Sequence, residues 1–116
     1  MQGARKVTTM KLWTAQAISK NASKTSPAID LRQLINNHKF SCHAIIAGTG
    51  QVDIAVQYCS TVDGTYIEDS TLIADDQAAG SIFVSFDPVL APFIKIKVTE
   101  NNTNPITSLD LWLNIG

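Results

Sequence analysis

Charge is scarce in this chain. Nine lysines and arginines and ten aspartates and glutamates leave only 16% of the 116 residues charged, for a formal net charge of −1. Beyond Arg5-Lys6 there is no basic block. The clustered positive field that a phosphate backbone requires is therefore missing, which argues against direct nucleic acid binding. Histidine and cysteine are just as sparse, with His38 and His43, Cys42 and Cys59. They show no C-x-x-C spacing and no recognisable zinc order, so no metal or other cofactor is expected. Cys42 shares the parity of Phe40 and Ala44 on a core side, while Cys59 ends a strand beside Tyr58. Two free thiols are expected rather than a disulfide. No apolar run reaches the length of a membrane span, and none of signal-peptide length follows Arg5 and Lys6. Asn21-Ala-Ser23 and Asn101-Asn-Thr103 match glycosylation sequons, and without an export signal they read as chance.

What the chain has in abundance is alternation. From Gln51 to Tyr58, Val52, Ile54, Val56 and Tyr58 share one face of an extended strand, and Gln51, Asp53, Ala55 and Gln57 share the other. That period of two marks a strand with one side in a core. Asp63-Gly64 supplies the following turn, through the positive φ that glycine tolerates. Ile94, Ile96 and Val98 repeat the pattern opposite Lys95, Lys97 and Thr99. In the closing strand, Leu109, Leu111, Leu113 and Ile115 lie opposite Asp110, Trp112 and Asn114. With 45% hydrophobic residues, the chain is long enough for one self-sufficient core. The expected fold is all-β: an antiparallel two-sheet sandwich, jelly-roll or immunoglobulin-like, with a short barrel also open. Residues 1–9 read as a loose N-terminal arm and residues 10–116 as a single domain.

Taken in order, a first strand is expected over Lys11 to Ser19, and a polar link from Lys20 to Ser26 leads to a strand through Ile29 and Leu31. Phe40 to Ala47 and Gln51 to Tyr58 are expected to form a hairpin, because Gly48-Thr-Gly50 is a short glycine-containing link. Tyr66-Ile67 and Leu72-Ile73 read as short strand pieces and Asp75 to Gly80 as an acidic loop. Ser81 to Phe86 is a strand. Asp87 to Pro92 carries two prolines and reads as a crossing between sheets.

Few residues invite chemistry. His43 can face Asp53 across the expected hairpin, but no Gly-x-Ser-x-Gly or similar nucleophile motif accompanies it, so no catalytic residue is assigned and the chain reads as non-enzymatic. Asp75 and Asp76, with Asp63 and Asp69 nearby in space, would make a sparse calcium site. Adjacent loop acids more commonly face solvent. Trp112 lies opposite the leucine row, on an outer face where it either anchors a protein interface or a sugar ring or is covered by the N-terminal segment. Trp13, Tyr58 and Tyr66 would add to a sugar platform. Arg5 and Lys6 in the arm complete the candidate interface.

Three segments carry a resemblance: Val-Gln-Tyr-Cys-Ser-Thr-Val-Asp-Gly-Thr-Tyr66, Phe86-Asp-Pro-Val-Leu-Ala-Pro-Phe-Ile-Lys-Ile-Lys-Val98 and Leu109-Asp-Leu-Trp-Leu113. Together they resemble a family of small phage and prophage virion structural proteins over about two thirds of the chain. The resemblance implies a β-sandwich serving as head decoration, cement or tail component, assembled in the host cytoplasm and resident in the virion. Its implied partners are other phage structural proteins and further copies of itself. A carbohydrate-binding or host-adhesion module is the alternative, since such modules share these turns.

Overall fold

A computed structural model describes residues 7–33 and 39–116; Arg5, Lys6 and His38 lie outside the described residues. Among the described residues there are ten strands: β1 Thr8–Trp13, β2 Ser23–Thr25, β3 Ile29–Asp30, β4 Phe40–Gly48, β5 Val52–Cys59, β6 Ile67–Glu68, β7 Ala74–Gln77, β8 Gly80–Phe86, β9 Phe93–Glu100 and β10 Ile106–Ile115. They form two antiparallel sheets. The front sheet runs β1-β10-β4-β8. The back sheet runs β2-β9-β5-β6, with β3 also on β9 and β7 also on β5. Every pairing is antiparallel. The chain passes from one sheet to the other after β1, β3, β4, β7, β8 and β9. That winding is the jelly-roll arrangement, which decides between the alternatives that alternation alone leaves open.

The core is the meeting of the two inward rows. Ile54, Val56, Ile94, Ile96 and Val98 from the back sheet face Cys42, Ala44, Leu109, Leu111 and Leu113 from the front, all at most 2% exposed. Full burial of one such aliphatic side chain is worth about 1.5–3 kcal/mol. These rows coincide with the alternation read from the sequence.

Four local expectations are corrected. β4 and β5 do not form a hairpin, for they belong to different sheets. Gly48 has φ +118°, and a Cβ there would lie 2.7 Å from both Pro105 O and Thr107 N. The link thus turns between layers, packed against the loop before β10. The expected first strand stops early: β1 shifts register between Lys11 and Trp13, and Ala15 takes a left-handed φ of 48°. β1 begins at Thr8, and Thr8 and Thr9 pair with Ile115 and Asn114. Asp75 and Asp76 lie within β7, at the irregularity between its Ala74 and Gln77 pairings with β5, and not in a loop. Finally, Gly64 is needed for space and not for a left-handed φ, since a Cβ there would meet Thr61 Oγ1 at 2.4 Å and Cys59 Sγ at 2.5 Å. The β5–β6 hairpin it joins is present, and Asp87 to Pro92 does cross between sheets.

Candidate functional site

The outward face of the front sheet carries a row assembled from all four strands. Register places Lys11 beside Trp112, Trp112 beside His43, and His43 beside Phe83. The rings stand on edge and stack. His43 lies 4.7 Å from Trp112 at 18° and 4.9 Å from Phe83 at 17°, centroid to centroid. Lys11 Nζ sits 4.6 Å from the centre of the Trp112 ring. It also pairs with Asp110 at 3.4 Å. The Asp110 carboxylate accepts the Ala15 amide at 2.9 Å; that bond, with Lys11 beside it, holds its pKa below the usual range. Next to the aromatic row runs a hydroxyl and amide row. The Thr9 hydroxyl donates to Asn114 Oδ1 at 2.7 Å, Asn114 Nδ2 donates to the Ser41 hydroxyl at 3.4 Å, and Ser85 follows on β8. Phe83 remains 66% exposed and Ile45 40% exposed.

This geometry locates Trp112 on the outer face, as its parity implies, and restricts what it can do. One ring face lies under Lys11 and the other against His43. A sugar platform must present an open ring face, and Trp112 has none. The other aromatics do not join it: Tyr58 donates its hydroxyl to Asp69 at 2.8 Å and accepts the Val89 amide at 3.0 Å. Burial pushes the Tyr58 pKa up to about 12. Tyr66 lies under Lys95 Nζ, 4.3 Å from its centroid. The stack presents ring edges on this face, with Phe83 the most exposed of them.

His43 does not meet Asp53, which lies in the other sheet. Its ring is enclosed by two aromatic neighbours, Trp112 and Phe83. Cys42 and Cys59 are free, as expected. Burial raises the Cys42 thiol to about 12.

The expected acidic group forms with different members. Asp53, Asp75 and Asp76 bring carboxylate oxygens within 4.8 Å of one another. Asp69 is bound instead to Tyr58 and the Thr71 amide, and Asp63 lies in the β5–β6 turn. Asn101 Nδ2 donates to both Asp53 and Asp76, and the Asp76 amide donates to Asp53. A hydrogen bond to Asp53 raises the Asp75 pKa, and the nearby Asp76 charge adds to it. Sequence reasoning misses Asp53 here because its partners are 22 and 23 residues away and reach it only through the β5–β7 register.

It also misses Glu100, a buried charge at 1% exposure. One carboxylate oxygen accepts the amides of Asn21 and Thr103 at 2.9 and 3.0 Å, and the other those of Gln51 and Asn102 at 3.2 and 2.7 Å. Burial opposes the charge, yet the four donors together outweigh it and hold the pKa below the usual range. Three loops are thereby joined at one end of the sandwich.

No family model and no curated protein matches the sequence. Among solved structures, the chain is similar to the VP2 subviral particle of infectious bursal disease virus, with TM-score 0.55 and 14% identity. The Gx strain of the same virus gives TM-score 0.53, also at 14% identity. Each match covers 95% of this chain and 32% of the other, so this chain spans about a third of the length of those proteins. A chain from Bacillus endospore appendages, which form disulfide-linked pili, aligns over 97% of this chain and 89% of its own length at TM-score 0.43 and 19% identity. What the viral likenesses establish is the fold: an all-β, two-sheet antiparallel sandwich.

Proposed function

We propose that this protein is a non-enzymatic building block of a phage particle, placed on or at the head as a decoration or cement component. A jelly roll by itself does not assign a role, since the fold also serves lectins and enzymes. The observation that carries the reading is the outward face of the front sheet, where an ordered aromatic row and a hydroxyl row replace the charges a solvated strand face usually bears. The phage-like segments of the sequence favour a particle as the setting. Low net charge favours close approach of many copies, since little long-range repulsion opposes it. Trp112 and Phe83 contribute apolar contact, and Arg5 and Lys6 supply cations from the N-terminal segment.

The test is incorporation into particles. Purified protein is mixed with heads that lack it, and bound copies are counted for the full chain, a chain truncated before Val7 and Trp112→Ala. Truncation there preserves the pairing of Thr8 and Thr9 with β10. Saturable binding that weakens in either variant supports the reading. Absence of binding, with retention on a polysaccharide column, would replace it by the carbohydrate-binding alternative.

A further inference from the structure

The four strands of the front sheet end at β8, and no other described strand pairs with its outer side. Natural sheets blunt such edges with short strands, charges, prolines or bulges. The other edges here do so. β1 carries Lys11 and a register shift; β2, β3 and β6 are two or three residues long; β7 is four residues long and acidic. β8 spans seven residues, Gly-Ser-Ile-Phe-Val-Ser-Phe, with no charge and no proline. Its pairing with β4 runs without a register shift.

The core is also open along this edge. On β4, Phe40, Cys42 and Ala44 are buried, whereas Phe86, Val84 and Ile82 opposite them on β8 are only half-buried. Two clefts, of about 490 and 340 Å³, follow β8 and share Ile73. The first is lined by Ile82 and Val84 with Ala74, and the second by Phe86 with Val56. An added strand with apolar residues at alternate positions would extend the sheet and cover this row.

We propose that the free edge of β8 is a strand-pairing site for β8 of a second copy of this chain. The proposal deepens the assembly reading and rests on it for the biological setting only. β8 is its own complement. Antiparallel pairing with Val84 on a twofold axis sets Ile82 opposite Phe86 and Phe83 opposite Ser85, so both inward rows stay inward. The contact is isologous and closes as a dimer. No charge lies in either strand to oppose it. The six residues before Val7, Met-Gln-Gly-Ala-Arg-Lys, offer no run of alternating large apolar residues and suit the groove poorly. The product is a continuous eight-stranded sheet in which the aromatic rows of two copies lie side by side.

Sedimentation equilibrium of the full chain, extended to high protein concentration, tests this alongside Phe83→Lys/Ser85→Lys. In the paired state the double variant sets lysines directly opposite each other, whereas in the monomer both positions are exposed. The expected result is a concentration-dependent dimer, weakened at least about tenfold in the double variant. Ser85→Lys alone retains the Phe83 stack and guards against a folding defect; it is expected to weaken the dimer less. Lys97→Glu, on the back sheet, should leave it unchanged. A chain that stays monomeric, or a dimer indifferent to both β8 variants, overturns the proposal. Particle binding by a monomeric chain would remove strand pairing and leave the assembly reading standing, whereas a β8 dimer that ignores particles would do the reverse.

Discussion

The two sheets of this sandwich are alike on the inside and opposite on the outside. Inward, Cys42, Ala44, Leu109, Leu111 and Leu113 of the front sheet and Ile54, Val56, Ile94, Ile96 and Val98 of the back are apolar and buried. Outward, the back sheet shows Lys95, Lys97, Glu68 and Asp53, with Lys97 and Glu68 paired at 3.3 Å. The front sheet shows stacked rings, hydroxyls and amides, with Lys11 and Asp110 at one side. Solvation accounts for the charges of the back face, since exposed ion pairs contribute little and keep the surface wet. It does not explain a tryptophan, a histidine and a phenylalanine brought together from three strands. The difference teaches that inward alternation specifies the sandwich, while the outward residues set a charged face apart from an aromatic and hydroxyl one.

The comparison breaks first if the two interiors are not equivalent. Ile96→Ala in the back sheet and Leu111→Ala in the front should each destabilise by about 2–5 kcal/mol in denaturant unfolding, because both delete fully buried aliphatic groups. A loss confined to one sheet would mean that the core is not shared. Next comes the joint at Glu100. Glu100→Gln sets an amide N–H₂ against backbone donors and should lower the melting temperature by several degrees. The pH dependence has a definite sign. Because the folded pKa is lowered, the stabilisation from Glu100 is present at neutral pH. It is lost as pH falls through the folded value, on the acid side of the usual carboxylate range. Melting scans should therefore show a steeper acid loss in the unsubstituted protein than in Glu100→Gln.

The outer faces separate in the smaller effects. Trp112→Ala removes a ring stack and a cation–π contact, and should cost about 1–2 kcal/mol in the isolated domain. Lys97→Gln on the back face should change stability by less than about 0.5 kcal/mol. Equal values for the two would erase the distinction between a built face and a solvated one.

Much of this fold is legible in the sequence, for a definite reason. Alternation reports which side of a strand is buried, so it places Ile54, Ile96 and Leu111 in the core and Trp112 outside it. Alternation does not report which strand lies alongside. Hence β4 and β5, close in sequence and separated by glycines, have the pattern of a hairpin, although Gly48 turns the chain into the other sheet. The aromatic row is hidden for the same cause: residues 11, 43, 83 and 112 meet only through three long-range registers. Glu100 escapes because a carboxylate satisfied by backbone amides has no side-chain partner that a sequence pattern can show.

Amide hydrogen exchange at low and high protein concentration tests the central claim most directly, namely that the front sheet is the assembly face and the back sheet the solvated one. The account predicts that peptides from β8 gain protection as concentration rises, while peptides from β9 and β6 exchange at unchanged rates. Protection arising on the back sheet, or on neither sheet while the protein associates, would contradict it.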